Sequence, residues 1–138
     1  LDQDPSFYMA HLNLSFLTLT MGQPEASLNS LDAAERLVGP QPVVRALRAS
    51  ALAQAGQTQQ AESILNSLLL ESESRYVSAP LFSQVYISLG DTSRALDYLN
   101  QGLLERDVYM TVMRPWPLVD VLRDNPRFKR ILKAMGPP

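Results

Sequence analysis

A chain of 138 residues with 46% hydrophobic and 19% charged side chains has the material for one globular domain and the composition of one. The absence of cysteine excludes disulfides, zinc–thiolate sites and cysteine nucleophiles, and a single histidine, His11, excludes chemistry built on paired imidazoles within one chain. The net charge of −2 is unevenly spread: residues 1–113 hold six basic and twelve acidic side chains, net −6, whereas residues 114–138 hold six basic and two acidic, net +4.

In chain order, a first helix is expected over "YMAHLNLSFLTLTM", closing at Gly22. Its most apolar run, around Phe16 to Met21, is interrupted by Thr18 and Thr20 and falls far short of the ~18 apolar residues of a membrane span. A second helix follows over "ASLNSLDAAERLV", with apolar residues recurring at three and four. The next pair closes and reopens around Gly56, with "AESILNSLLL" as its second member. A third pair, "LFSQVYISL" and "ALDYLNQGLL", is divided by Gly90. Glycine accepts the left-handed conformation that ends a helix, and Gln23-Pro24, Gln57-Thr58 and Asp91-Thr92 then supply residues suited to a cap or first turn.

After Asp107 the pattern changes. The stretch "VYMTVMRPWPLVDVLRDNPRFKRILKAMG" carries three prolines before Phe128 and cannot form one long helix. It predicts a short helix near 108–113, a turn at "RPWP" and a helical turn or two near 118–123. A final helix is expected from Pro126 to about Met135, capped by Asn125 and stopped by Gly136.

Gly22, Gly56 and Gly90 are spaced 34 residues apart. Five residues beyond each stands a small residue (Ser27, Ala61, Ala95), and four further on a leucine (Leu31, Leu65, Leu99). Three coincident columns at one period define a repeat. Ser15, Ala49 and Ser83 in the first helix of each pair are expected to face Ser27, Ala61 and Ala95 in the second, letting the helices approach closely. The reading is all-α: three helix-turn-helix units, about 8–41, 42–75 and 76–107, with a helical capping segment over 108–138. Trp116, Leu118, Val119, Leu122, Phe128, Ile131 and Leu132 have the character of a lid over the last apolar face.

The 34-residue period, small-small contacts and glycine turn resemble tetratricopeptide repeats, and the fold implied is an α-α superhelix. The match is degenerate: the early aromatic column reads His11, Arg45 and Ala79, and a leucine column reads Leu14, Arg48 and Phe82. Arg48 in that column is expected either to snorkel toward solvent or to mark a middle unit that packs differently. Residues 1–5, "LDQDP", resemble the closing "LDP" of a preceding repeat, and with Leu rather than Met first the chain reads as a piece of a longer protein. The third unit together with Leu122-Arg123-Asp124-Asn125-Pro126-Arg127-Phe128 is similar to the C-terminal repeat segment of bacterial multidomain regulators. In those, such repeats follow a winged-helix DNA-binding, protein kinase or nucleotide cyclase domain. The resemblance implies a regulatory role in a larger bacterial protein.

The family's concave groove, carried onto this chain, falls on Met9, Leu12, Asn13, Phe16, Leu19 and Thr20 in the first unit. The second contributes Val43, Ala46, Leu47, Ser50, Ala53 and Gln54, and the third Pro80, Leu81, Gln84, Ile87 and Ser88. That surface is apolar with almost no charge, so a carboxylate clamp is not expected, and a protein or peptide with an apolar helix or extended segment is the expected partner. Self-association as a homodimer and ligand sensing are the competing readings. Nucleic acid is not an expected partner, because the basic tail reads first as a solvated helix face. No phosphate-loop, dinucleotide or metalloprotease motif is present, so no catalytic residue, metal or cofactor is assigned.

Overall fold

The computed structural model describes residues 5–137, which are all-helical, with no strand among them. Helices α1 (Pro5–Thr20), α2 (Pro24–Val38), α3 (Pro42–Gln54), α4 (Thr58–Glu71), α5 (Ala79–Leu89) and α6 (Thr92–Glu105) come first. A short α7 (Tyr109–Met113), a 3-10 helix over Pro117–Leu122 and α8 (Pro126–Met135) follow. Helix α1 packs on α2, α3 on α4 and α5 on α6, while α3 also meets α2 and α5.

The three tight turns are built alike. In each, the glycine N–H donates three residues back and the next N–H donates five residues back. Gln23 N bonds Thr18 O at 2.8 Å, Gln57 N bonds Leu52 O at 2.8 Å, and Asp91 N bonds Tyr86 O at 2.9 Å. The glycines sit at φ +73°, +83° and +81°, a left-handed conformation that a side chain disfavours by about 1–2 kcal/mol. The restarts differ: Pro24 occupies the first turn of α2, whereas Asp91 caps α6 by accepting from Arg94 N at 3.1 Å.

The small-residue columns are the seams of the helix pairs. Ser15, Ala49 and Ser83 are buried, as are Ser27, Ala61 and Ala95 on the partner helices. In the first pair the seam carries a hydrogen bond, Ser27 Oγ donating to Ser15 O at 3.0 Å. Arg48 does not stay in the core column that its place suggests. It reaches the acidic side of α2, with its guanidinium 2.8 Å from Asp32 and 3.6 Å from Glu35. Arg45 bonds both oxygens of Glu71 at 2.8 and 3.0 Å, tying α3 to the end of α4.

Two apolar clusters result. The larger runs through α1–α6; the smaller joins Leu96 and Leu99 of α6 to Met110, Met113, Val119, Leu122, Phe128 and Ile131. The terminal segment therefore closes over α6, with Trp116 and Leu132 packed at the margin. Asn125 caps α8, its side chain accepting from Arg127 N at 2.8 Å. Among the described residues no helix is long and apolar enough to cross a membrane.

Candidate functional site

The residues expected along the concave line are brought together, but most of them serve as core. Leu12, Leu19, Val43, Ala46, Leu47, Ser50, Leu81 and Gln84 are buried. Phe16, Ala53, Ile87 and Ser88 are half-buried, and Met9, Asn13, Thr20 and Gln54 are exposed. Gln54 spans helices, its Nε2 donating to Leu19 O at 2.8 Å.

The cover comes from the chain itself. The Trp116 ring lies 4.6 Å from the Phe16 ring, centroid to centroid, with the planes tilted 45°. Leu118 and Tyr109 pack against the cluster that holds Leu12, Leu47 and Leu81, and α5 touches both α7 and the 3-10 helix. The terminal segment thus reaches past α6 to the first helix. Between α3 and α5 lies a buried polar pair: Gln84 Nε2 and Ser50 Oγ stand 3.4 Å apart, at the edge of hydrogen-bond reach. Gln84 Oε1 and Ser88 Oγ, one helical turn apart, are buried without a hydrogen-bond partner.

An opening lies at the end where α3 and α5 begin. A cavity of about 430 Å³ is lined by Tyr8 of α1, Val38, the Gln41-Pro42-Val43 corner, Tyr76-Val77-Ser78, Leu81 and Tyr109. Val43 and Leu81 belong to the expected concave line; the tyrosines do not. Tyr76 lies in the long connection before α5 and Tyr109 in the segment after the repeats, so repeat columns do not register them. The available signal was three tyrosines near helix starts: Tyr8 in the first turn of α1, Tyr76 three residues before α5, and Tyr109 opening α7.

Asp107 organises one wall. It accepts hydrogen bonds from the Tyr76 hydroxyl, from Ser78 Oγ at 2.7 Å and from Tyr109 N at 2.8 Å. Tyr76 is largely exposed, but desolvation of its hydroxyl, helped by the hydrogen bond and negative charge of Asp107, holds it well above a phenol's ordinary value. Burial likewise raises Tyr8, with Tyr109 adding to it, and Tyr109, with the charge of Asp107 adding to it. At neutral pH the tyrosines are therefore uncharged hydroxyls on an apolar wall. Such a wall suits an apolar group with a polar edge rather than proton transfer at a reacting centre.

The basic terminal segment is partly spoken for. Arg123 bonds Asp120 at 2.6 Å and also Arg114 O, and Arg127 bonds Asp97 at 2.7 Å. Lys129, Arg130 and Lys133 stay exposed. Glu71 is held below the usual carboxylate range by its hydrogen bond from Arg45. Among the described residues no group of three or more His, Asp or Glu side chains is arranged to hold a metal ion.

No family model matches the chain, and no curated protein or solved structure matches it either.

Proposed function

We propose that the chain is a tetratricopeptide-like interaction module: three helix pairs in an α-α superhelix, followed by a capping segment, without a catalytic role. One observation carries the reading: three glycine turns 34 residues apart share one hydrogen-bond pattern, and each is followed by a buried small residue and a buried leucine. The "LRDNPRF" tail, which forms the last 3-10 turn and the capped start of α8, supports a place among bacterial regulatory proteins. The mechanism in this reading is passive. A preformed surface gains affinity by burying a partner's apolar groups.

The terminal segment reaches the concave line at Phe16 and α5, and the partner's point of entry in this reading is the tyrosine-lined cavity. The ligand class that fits is an extended peptide with a large apolar side chain. Its backbone would meet the hydroxyls of Tyr8 and Tyr109. A second reading, a small effector molecule, draws support from the cavity's volume, which lies in the range of about 300–1,000 Å³ typical of small-ligand sites.

Amide-detected NMR titration with apolar peptides and, separately, with small aromatic compounds tests both. The first reading expects peptide-specific shifts at Val43, Val77, Leu81 and Tyr109 that vanish in Val77→Asp. Shifts only with small compounds favour the second reading, and shifts confined to other surfaces overturn the assignment of the cavity.

A further inference from the structure

The tyrosine-lined cavity has an electrical character as well as an apolar one. Tyr8, Tyr76 and Tyr109 bring three aromatic rings to its lining, from α1, the connection before α5 and α7. Val43, Val77 and Leu81, all buried, supply apolar surface to the same cavity. No lysine, arginine or histidine lines it among the described residues.

The charge beside these rings is negative. The Tyr76 hydroxyl donates to the Asp107 carboxylate and stands 3.4 Å from a carboxylate oxygen of Glu105. Asp107 also accepts from the N–H of Tyr109, so one carboxylate is tied to two of the three tyrosines. A phenol that donates to a carboxylate is polarised by it, which deepens the negative face of its ring. The arginines that flank these segments are occupied elsewhere: Arg45 pairs with Glu71 at 2.8 Å and Arg75 with the same carboxylate at 3.1 Å.

We propose that this cavity takes a methylated ammonium group, a quaternary cation held among the rings of Tyr8, Tyr76 and Tyr109. The proposal rests on the reading of the cavity as the binding site and adds the charge of what enters it. Aromatic rings attract a cation through their negative faces, and quaternary ammonium groups are recognised in this way. Methyl groups also suit the apolar lining. A primary ammonium is disfavoured, because its three N–H donors need acceptors and both oxygens of Asp107 are taken by Tyr76, Ser78 and Tyr109. An anion is disfavoured by the two carboxylates at Tyr76 and the lack of a lining cation. The volume of about 430 Å³ leaves room for what carries the group, whether a small molecule such as choline or a trimethylated lysine on a peptide.

Amide-detected NMR titration with choline tests it, run beside the uncharged analogue in which carbon replaces the ammonium nitrogen. Choline is expected to shift Val77, Leu81 and Tyr109 saturably and to bind roughly tenfold more tightly than the analogue. Tyr76→Leu, at an exposed position, should weaken choline with helical circular dichroism retained. Asp107→Asn should weaken choline and leave the uncharged analogue unchanged. A peptide carrying trimethylated lysine separates the two sources: tighter binding than choline assigns the group to a peptide, weaker binding to a free small molecule. Equal affinity for choline and its uncharged analogue overturns the proposal and leaves the cavity as an apolar site. Shifts there with apolar peptides, but with no ammonium compound, overturn it in the same way. Silence at the cavity with every ligand overturns both the proposal and the reading on which it rests.

Discussion

The two ends of the molecule present the same problem and solve it differently. At the C-terminal end, the apolar side of α6 is covered by α7, the 3-10 turn and α8. Phe128 and Leu122 are fully buried and the charged side of α8 faces outward. At the N-terminal end, α1 keeps its outer arc bare and bears no charge to finish it. A stack of helix pairs always leaves two apolar faces, and a face becomes an end only when a segment with different chemistry is laid over it. Here the prolines that interrupt helical periodicity let the chain fold back over α6.

The comparison can be broken most forcefully at the closed end. Phe128→Ala removes the largest fully buried side chain of the lid and should cost about 3–5 kcal/mol in chemical denaturation. The single Trp116 should report the loss through a red-shifted emission. A cost under about 1 kcal/mol would show that the lid contributes little, and the two ends would then differ in appearance rather than in stability. Next in size is Ala95→Leu, which forces a larger side chain into the seam between α5 and α6. It should destabilise by about 1–3 kcal/mol, read from the same transition. A neutral result would mean that this pair is looser than its burial shows.

The smallest effect sharpens the opposite side of the comparison, around α1 and the cavity. Tyr8, Tyr76 and Tyr109 hold their protons more tightly when folded than a free phenol, whose ordinary value is near 10. The folded form then binds more protons than the unfolded form once pH passes that ordinary value. Stability is intact below it and falls as pH rises through the raised values. The melting temperature should therefore be flat from neutral pH to about 9 and decline above about 10. In the Tyr8→Phe/Tyr109→Phe variant the decline should be shallower.

Much of the architecture was legible because it repeats. Gly22, Gly56 and Gly90 required the same backbone conformation, and the small residues at Ser27, Ala61 and Ala95 required the same close seam, so period and chemistry agreed. The terminal boundaries were legible for a local reason: Pro115, Pro117 and Pro126 break helices, and Asn125 starts one. Arg48 was read as escaping the core, and its pairing with Asp32 and Glu35 gives the escape a destination.

What stayed hidden depends on contacts between distant parts. Nothing in the neighbourhood of Trp116 announces that its ring will rest on Phe16, because no local period encodes a return to the first helix. The cavity was hidden for a related reason. Tyr76 and Tyr109 sit at helix starts outside the aligned columns, and Asp107 gathers them only after α5 and α6 have set the loop ends side by side. Gln84 looked like a groove residue, and its burial against Ser50 of α3 depends on how two helices 34 residues apart pack together.

The ring contact between Phe16 and Trp116 also bears on how the chain comes apart. An open row of helix pairs loses its units one after another, since each unit touches only its neighbours. A clasp between the first helix and the last segment removes that freedom, because neither end can fray without releasing the other. Unfolding should then be a single cooperative event, and the gain is made at the expense of rate, since a clasp of such sequence separation closes late.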